Sequence, residues 1–298
     1  MSMNNLPLVS IITVNYNNPH HTAELLESIK KLSYPNIEVI IVDNASAQNP
    51  FHFFKEVYPD VLFIRNDRNL GFAGGNNIGI RHAKGDYLFL VNNDTELTTN
   101  IIEGLLDVFT RFPDAGIVCP KFRYYYHKDI IEYAGYTKVN VFTGRNKMIG
   151  CGEVDKGQYD EIRETYYAHG GGMMISRGVI NKIGYLPEIY FLYYEEFDWC
   201  EKLREAGYKI YYQYRSLIFH KESMTTGKNS VLKTYYINRN RLLFMRRNNR
   251  FPVFLFFMLY FVLFTVPKNT FHFLIKKQFA HLSAFWKAIY WNVFNPAS

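Results

Sequence analysis

The chain has 298 residues, of which 48% are hydrophobic, enough for one large α/β domain with appendages or for two small domains. Its three cysteines, Cys119, Cys151 and Cys200, show no paired spacing, which argues against a disulfide framework or a thiolate zinc site and fits a reducing compartment. The first residues run directly into a strand pattern without a charged leader or cleavage site, so we predict no signal peptide.

The positive charge lies in the C-terminal part of the chain. The whole chain carries +7, whereas residues 221–298, with twelve Lys or Arg and one acidic residue, Glu222, carry +11. The first 220 residues therefore carry −4. A nucleic-acid-binding protein would not confine its excess charge to one tail, so we expect no nucleic-acid partner. A slightly acidic body with a cationic, aromatic-rich tail indicates contact with a membrane surface.

Strand and helix patterns alternate along the first 120 residues. Continuous apolar runs predict buried strands at 8–15, 37–44, 61–66, 86–92 and 116–120. Helical patterns lie between them at 20–32, 50–58, 74–84 and 98–112. This alternation predicts right-handed βαβ units and an α/β fold, with a mostly parallel sheet flanked by helices.

The regular alternation stops after residue 120. Residues 121–144 are aromatic, β-prone and interrupted by glycine, which predicts hairpins or a loop-rich insert, and residues 144–164 have the composition of a mobile loop. Regular patterns return at 165–184, a strand followed by a helix, and at 195–212, a helix, a glycine and a strand.

A helical tail is predicted to begin near Ser230. Residues 231–250 form a basic amphipathic pattern, and residues 251–267 contain no charge, which is the lower limit of the ~17–25 residues that a spanning helix needs. Lys and Arg flank this run and suit the anionic cytoplasmic leaflet. We favour helices that lie in the membrane interface; a spanning helix, or a hydrophobic helical pair packed on the domain, remains the alternative.

Polar residues end each of the first four predicted strands. They are Thr13 and Asn15, Asp43 and Asn44, Arg65 and Asn66, and Asn92 and Asp94. One polar strand end is unremarkable, but ligands of open α/β sheets bind outside the carboxyl ends of the strands. Four polar ends together therefore predict a ligand site at this edge.

The run Asn92-Asn93-Asp94 combines two amides with a single carboxylate. Mg²⁺ and Mn²⁺ take hard oxygen ligands, and a bound diphosphate can supply the remaining negative charge. We therefore interpret the run as a metal–diphosphate cradle. The alternative is an Asx-rich turn that caps the following helix.

A glycine-rich stretch, residues 69–83, contains Asn69, Gly74, Asn76 and Asn77. Glycine lets a backbone approach a ligand closely, and a glycine-rich helix start offers N–H groups to phosphate. The stretch matches neither the Rossmann nor the P-loop motif. A plain tight turn is the alternative explanation.

Three acidic residues, Glu195, Glu196 and Asp198, stand at a predicted helix start. Acids there interact favourably with the helix dipole, which is the ordinary explanation. The aromatic residues before them would, however, wall a pocket in which a carboxylate could deprotonate an alcohol. His220 ends an apolar run; it is either structural or a metal ligand beside Asp94, since imidazole suits Mn²⁺ better than Mg²⁺.

These segments together resemble the family 2 glycosyltransferases with the GT-A fold, especially the rhamnosyltransferase-like branch. The resemblance covers about residues 8–250 and includes VSIITVNYNN, VIIVDNAS, NLGFAGGNNIGI, FLVNNDTEL, GGGMMISR, YYEEFDWCEKLREAGY and HKES. It implies a catalytic domain at 1–229, with a donor half at about 1–120 and an acceptor half at about 121–229, followed by the tail at 230–298. It also implies a nucleotide-sugar donor, Mg²⁺ or Mn²⁺, and inversion at the anomeric carbon.

The resemblance implies a role for each matching residue. The implied nucleotide-sugar-binding residues are Thr13, Asn15, Asp43 (on the pyrimidine ring edge), Asn69, Gly74, Asn76, Asn77, Asn92 and Asn93. The implied metal ligands are Asp94 and His220. The implied acceptor-side residues are Gly171, Gly172, Glu195 and Trp199. The implied general base is Glu196, with Asp198 as the second candidate and as a residue that orients the helix or the acceptor.

Two departures from the family pattern bear on this assignment. Asn92 stands where the family usually has the first acid of its D-x-D element, and Glu196 stands where the family usually has an Asp base. The implied reaction is a single displacement that extends a saccharide, with dTDP-rhamnose favoured as the donor and UDP-hexoses as the alternative. The implied acceptor is a lipid-linked saccharide in cell-surface polysaccharide synthesis, at the inner face of the cell membrane.

Two other classes of protein were weighed against this one. A sugar nucleotidyltransferase should carry a glycine-rich, cationic loop directly after the first strand, but the residues there read NYNNPHH. A non-catalytic sugar- or lipid-binding protein would have no need for Asp94, Glu196 and His220 together. Both classes are therefore disfavoured.

Overall fold

The structure is a computed structural model that describes residues 6–221 and 230–295. Ten strands form one sheet within these residues. The strands are β1 (Val9–Asn15), β2 (Ile37–Asp43), β3 (Leu62–Arg65), β4 (Tyr87–Val91), β5 (Thr95–Leu97), β6 (Ala115–Tyr124), β7 (His127–Tyr133), β8 (Arg163–Thr165), β9 (Gly172–Ser176) and β10 (Lys209–His220). Their order is β3-β2-β1-β4-β9-β6-β10-β5, with β7 beside β6 and β8 beside β10.

Helices flank the sheet and form the C-terminal layer. They are α1 (Pro19–Ile29), α2 (Phe51–Val57), α3 (Gly71–His82), α4 (Ile101–Arg111), α5 (Arg177–Ile183), α6 (Glu195–Glu205), α7 (Val231–Arg247), α8 (Phe251–Tyr260), α9 (Val266–Ile275) and α10 (Phe279–Phe294). A 3₁₀ turn at Glu188–Tyr190 precedes α6, and a π-helical segment at Phe261–Thr265 joins α8 to α9.

The first four predicted strands form the parallel half of the sheet. β1 lies between β2 and β4, and β3 lies outside β2, all in parallel. The predicted α/β class with a mostly parallel sheet is confirmed. The antiparallel strand β9, which lies between β4 and β6, was not predicted. It places part of the region after residue 120 in the middle of the sheet, in the direction opposite to its neighbours.

The short strand β5 explains why α4 begins at Ile101 and not near residue 98 as predicted. Residues Thr95–Leu97 turn back after β4 and pair antiparallel with the end of β10, where Thr95 lies opposite His220. This pairing brings the end of β4 to the end of β10. It joins two segments that are more than one hundred residues apart in the sequence.

Residues 144–164 have little regular structure, but ion pairs hold them against the sheet. Lys121, only 3% exposed, contacts Asp155 at 2.8 Å and Asp160 at 2.6 Å, and Arg123 also contacts Asp155. Isolated bridges such as Tyr136–Met148 add backbone contacts. The expectation of a mobile loop overlooked Lys121, whose buried ammonium group requires anionic partners from this segment.

The tail forms a helical layer on the α/β body. The predicted basic amphipathic helix is present as α7, and its buried residues include Arg239, Asn240 and Arg241 together with the apolar run Leu242–Met245. α10 packs along α7, where Arg246 donates to the Asn292 carbonyl oxygen and Thr234 meets His281.

The continuous helix of α8, the π segment and α9, Phe251–Ile275, is long and apolar enough to cross a membrane by length and composition, and 17% of its most apolar window is buried. Its buried residues, Phe257, Phe261 and Thr265, recur every four positions and form a single stripe. Arg241 of α7 lies over the Phe261 ring at 5.0 Å. The other faces of this helix remain largely exposed.

Candidate functional site

A cavity of about 570 Å³ opens at the carboxyl edge of β1 and β4. Eight of the predicted site residues line it: Asn69, Asn92, Asn93, Asp94, Gly171, Glu195, Glu196 and His220. The two proposed metal ligands and the proposed base therefore share one cavity, although they come from three distant segments of the chain.

Asp94 and His220, the two predicted metal ligands, lie together at one edge of the cavity, which we call the metal edge. The β5–β10 pairing places Asp94 Oδ1 3.2 Å from His220 Nε2. Both atoms are buried and neither has a hydrogen-bond partner among the described residues. A carboxylate oxygen and an imidazole nitrogen at this distance form a buried ion pair when His220 is protonated, and the same two atoms suit a shared cation once Nε2 gives up its proton.

Glu132 completes this edge, and the sequence interpretation missed it. Its carboxylate lies 2.8 Å from His220 Nδ1 and is 6% exposed. A metal-binding histidine commonly donates its second ring N–H to a carboxylate, which fixes the tautomer and leaves the other nitrogen for the metal. The only sequence signal was an acid within the apolar run Ile130-Ile131-Glu132-Tyr133 on β7.

The charges at this edge stabilise each other. Burial by itself would lower the pKa of His220, but Asp94 and Glu132 outweigh it and raise the pKa to about 10. Burial would raise the pKa of Asp94, but the adjacent His220 lowers it overall. His169 behaves differently, because burial and the charge of His220 lower its pKa to about 3 and keep it neutral.

The donor set fits a divalent cation that is shared with a substrate. The described residues contain no cluster of three or more His, Cys, Asp or Glu arranged to enclose an ion. Asp94 and His220 offer one carboxylate and one imidazole, so the remaining ligands must come from phosphate oxygens and water, as is usual for Mg²⁺ bound with a phosphorylated substrate.

Another wall of the cavity carries Glu195 and Glu196, the first residues of α6. Burial raises the pKa of Glu196 to about 7. Burial, followed by the charge of Glu196, raises the pKa of Glu195 well above its usual range. Glu195 is therefore held protonated near neutral pH, whereas Glu196 can accept a proton from an alcohol in the same range.

The segment before α6 has an unusual backbone. Phe191, Tyr193 and Tyr194 have φ values of 64°, 70° and 76°, a region that costs a non-glycine residue about 1–3 kcal/mol. Phe191, Leu192 and Tyr193 line the cavity. The aromatic wall predicted ahead of the acids is present, and its conformation directs α6 toward the cavity.

Three predicted nucleotide-binding residues lie beneath the cavity and do not line it. Asn15 and Asp43 are fully buried, and Asp43 accepts hydrogen bonds from Asn15 Nδ2 at 2.7 Å and from Ser46 Oγ at 2.5 Å. Thr13 is also fully buried. None of these three side chains lines the cavity, whereas Tyr16 and Asn44 reach it. Their assignment to nucleotide binding stays a prediction.

The glycine-rich stretch lines the cavity only at its start, through Asn69 and Gly71. Gly71 has φ 71°, and a Cβ there would lie 2.1 Å from the Phe191 carbonyl oxygen. Gly74 lies against Leu70, where a Cβ would come within 2.6 Å. Close packing thus accounts for both glycines, and the role of Gly74 in nucleotide-sugar binding stays a prediction.

Asn76 and Asn77 make hydrogen bonds within the protein. Asn76 donates to the Phe72 carbonyl oxygen, one turn earlier on α3. Asn77 donates to the carbonyl oxygen of Leu186 and accepts from its N–H, which ties α3 to the 3₁₀ turn. Neither residue lines the cavity, so their assignment to nucleotide-sugar binding stays a prediction.

Three further predicted residues do not line the cavity, and their roles on the acceptor side or in catalysis stay predictions. Gly172 lies in β9 against Ile218, and Trp199 is fully buried and donates to the Gly184 carbonyl oxygen. Asp198 accepts from Asn248 at 2.5 Å and lies 3.5 Å from Arg247. Its carboxylate thus anchors the end of α7 on α6, in line with the predicted role of orienting the helix.

The wall of the cavity also contains residues from α7 that the sequence interpretation did not assign. Leu232, Lys233 and Ile237 line the side next to Tyr193, and Lys233 Nζ lies 5.9 Å from the Tyr193 ring. The predicted boundary at residue 229 therefore does not separate the site from the tail. Tyr136 adds a buried phenol beside Glu196. Burial, followed by the charge of Glu196, raises the pKa of Tyr136 well above its usual range.

Comparison with known proteins agrees with this architecture. The sequence profile described as "Glycosyl transferase family 2" matches residues 10–184. The low-salt glycan biosynthesis hexosyltransferase Agl10 of Haloferax volcanii is 28% identical over 79% of this chain and 74% of its own length. The N-acetylglucosaminyl-diphospho-decaprenol L-rhamnosyltransferase of Mycobacterium tuberculosis is 22% identical over 74% of this chain and 78% of its own length.

The solved structure of the mannosyltransferase PcManGT from Pyrobaculum calidifontis, in complex with GDP-Man and Mn²⁺, has a similar fold. It superposes with a TM-score of 0.58 at 14% identity, over 98% of this chain and 76% of that chain. At this level of identity the likeness concerns the fold alone. It confirms the predicted GT-A architecture.

Proposed function

Because the chain belongs to glycosyl transferase family 2, whose profile covers more than half of it, we propose that it is an inverting, metal-dependent enzyme. It moves a sugar from a nucleoside-diphosphate sugar to a hydroxyl group of a saccharide. One observation carries this proposal: Asp94, His220 and Glu196 line a single cavity at the carboxyl edge of the sheet.

The metal edge would hold the donor's diphosphate. Asp94 and His220 would be the protein ligands of a divalent cation, and the Glu132 carboxylate at His220 Nδ1 would orient the ring so that Nε2 faces the cation. When bound, such a cation offsets the negative charge that develops on the departing nucleoside diphosphate. Asn69 and Tyr16 line the part of the cavity assigned to the donor's nucleoside and sugar.

The wall that carries Glu195 and Glu196 activates the acceptor. The Glu196 carboxylate removes the proton of the acceptor hydroxyl as its oxygen forms a bond to the anomeric carbon and the bond to the diphosphate breaks. A base with a pKa of about 7 is well matched to this task near neutral pH. The protonated Glu195 and the aromatic residues of the wall exclude water and keep the reaction directed to the saccharide.

A panel of nucleotide sugars tests this function. Full-length protein is incubated with each donor and Mn²⁺ or Mg²⁺, and released nucleoside diphosphate is measured with and without saccharide acceptors. We expect release with one donor class, and its loss in Asp94→Ala and on chelation. Release that is unchanged by Asp94→Ala or by chelation would contradict the metal-dependent mechanism.

Rhamnose from dTDP-rhamnose is the favoured sugar. The basis is the rhamnosyltransferase relative, whose name also specifies a diphospho-decaprenol-linked acceptor. A UDP-hexose is the second candidate, because the hexosyltransferase relative has the higher identity. Including both donors in the panel, with a polyprenyl-diphosphate-linked sugar as acceptor, decides between them.

We assign the tail layer to the inner surface of the cell membrane. Large apolar side chains on the α8–α9 helix are exposed, among them Phe251 (74%), Phe256 (60%) and Phe264 (61%). Residues 230–295 contain no acidic side chain, and the exposed lysines of these residues are Lys268, Lys276, Lys277 and Lys287. This combination suits helices that lie in an anionic interface. Flotation with anionic vesicles, lost in a Phe256→Ser/Phe264→Ser variant, would support the assignment; equal binding would refute it.

A further inference from the structure

We propose that Arg239 and Asn240 of α7 are positioning residues for the catalytic wall. They hold the strained segment Phe191–Tyr194 and thereby place Glu196. The inference rests on the proposed function for the role of Glu196, whereas the clamp itself follows from contacts between α7 and this segment.

The segment needs external support because its backbone is strained. Three of its four residues adopt positive φ without being glycine, and such residues persist only where the surrounding structure fixes them. The segment ends at Tyr194, directly before Glu195 and Glu196. A change in its backbone would therefore turn the first residues of α6 and move both carboxylates.

The amide of Asn240 supplies most of this support. Asn240 is fully buried, and its Nδ2 donates to the carbonyl oxygens of Tyr190, Leu192 and Tyr193 at 3.0, 2.7 and 2.7 Å. Its Oδ1 accepts from Arg239 Nε at 2.7 Å, which fixes the orientation of the amide.

The guanidinium of Arg239 extends the same contact. Its Nη2 donates to the carbonyl oxygens of Ile189 and Tyr190 at 2.6 and 2.7 Å. On the far side of the segment, Phe72 N–H of α3 donates to the Phe191 carbonyl oxygen at 2.7 Å. Every carbonyl oxygen from residue 189 to 193 is thus fixed, four by α7 and one by α3. A buried group with so many partners is more consistent with positioning a backbone than with filling space.

The clamp also contacts the membrane-facing layer. The Trp291 ring of α10 lies 4.5 Å from the Arg239 guanidinium, and Asn292 donates to the Arg239 carbonyl oxygen. The tail is therefore part of the catalytic architecture. The sequence pattern, which marks Arg239 only as one more basic residue of the tail, gave no sign of this role.

The test compares Asn240→Ala with Asn238→Ala on the full chain. Asn238 lies on the same helix, and its amide donates only to the Thr234 carbonyl oxygen one turn earlier. We expect Asn240→Ala to increase hydrogen exchange in peptides that cover residues 188–198. We also expect it to lower kcat for transfer by on the order of 10²-fold, the effect of a misplaced catalytic group. Binding of the nucleoside diphosphate with Mn²⁺ should stay unchanged, and Asn238→Ala should resemble the wild type.

Several outcomes would overturn the clamp. They are unchanged exchange in Asn240→Ala, or equal losses of kcat in both variants, or a loss of diphosphate binding without a loss of kcat. If Asn240→Ala does not fold, Arg239→Lys is measured in its place, because it keeps the cation but loses one of the two carbonyl contacts. Hydrogen exchange requires no substrate. A wild-type protein that turns over no donor would thus refute the proposed function while the exchange result still decides whether the clamp exists.

Discussion

The two walls of the cavity are built in different ways. The metal edge consists of side chains at the ends of β4 and β10, where strand pairing fixes the backbone and places Asp94 opposite His220. The proposed catalytic wall consists of Glu195 and Glu196, which follow a strained segment whose carbonyl oxygens accept hydrogen bonds from α7 and α3. A rigid sheet edge suits charged metal ligands that must stay fixed. A segment held by α7 lets that distant helix influence the position of the Glu196 carboxylate.

This difference predicts that substitutions at the two walls have separable effects. Changes at the metal edge should alter binding of cation and diphosphate. Changes at the catalytic wall should alter transfer while donor binding persists.

The largest expected effect is that of Glu196→Gln. Removing the base while keeping the shape should lower transfer by on the order of 10²–10⁴-fold, with diphosphate–Mn²⁺ affinity retained, as measured by calorimetry. Glu205→Gln, an exposed acid at the other end of α6, is the matched control. Near-normal transfer by Glu196→Gln would exclude it as the base.

The next largest effect should come from Glu132→Gln, a substitution at the metal edge that alters binding of the cation. Losing the carboxylate behind His220 should weaken Mn²⁺ binding by about 10–100-fold, measured by the paramagnetic signal of unbound Mn²⁺. Asp129→Asn, on the exposed part of the same strand, should bind Mn²⁺ as the wild type does. Equal affinity in both variants would show that Glu132 does not orient the ligand.

The pH dependence of transfer should report Glu196. Because burial raises the pKa of Glu196 to about 7, and only the deprotonated form accepts a proton, kcat at saturating metal should fall about tenfold per pH unit below 7. It should level off above that pH. A rate that stays constant from pH 8 down to pH 5.5 would contradict the assigned pKa and role.

The smallest effect on transfer should come from Asp198→Ala. The substitution leaves Asn248 and the Tyr190 hydroxyl without their acceptor, so we expect a loss of about 1–3 kcal/mol in the free energy of unfolding, measured with urea. Transfer per folded molecule should change less than tenfold. A loss of transfer as large as that of Glu196→Gln, at unchanged stability, would restore Asp198 as a catalytic candidate.

The parts of the fold that were predicted from sequence are those with local signals. The four parallel strands are continuous apolar runs, and their polar ends mark the ligand edge, so Asn92, Asn93 and Asp94 could be assigned to one place. Thr13, Asn15 and Asp43 stand at the same strand ends but lie beneath the cavity. A polar strand end identifies the edge but does not say how deep each side chain lies under the loops that cover it.

The sequence alone determined the α/β class, the edge of the sheet at which a ligand binds, and the acid and histidine that meet there. It could do so because hydrophobic periodicity and strand ends depend on neighbouring residues. Only the tertiary structure decided that Glu132 backs His220, that Asp198 anchors α7, and that α7 belongs to the catalytic wall. Those contacts join residues fifty to ninety positions apart, and a charged or amide side chain looks the same in a sequence whether it is solvated or buried against a distant backbone.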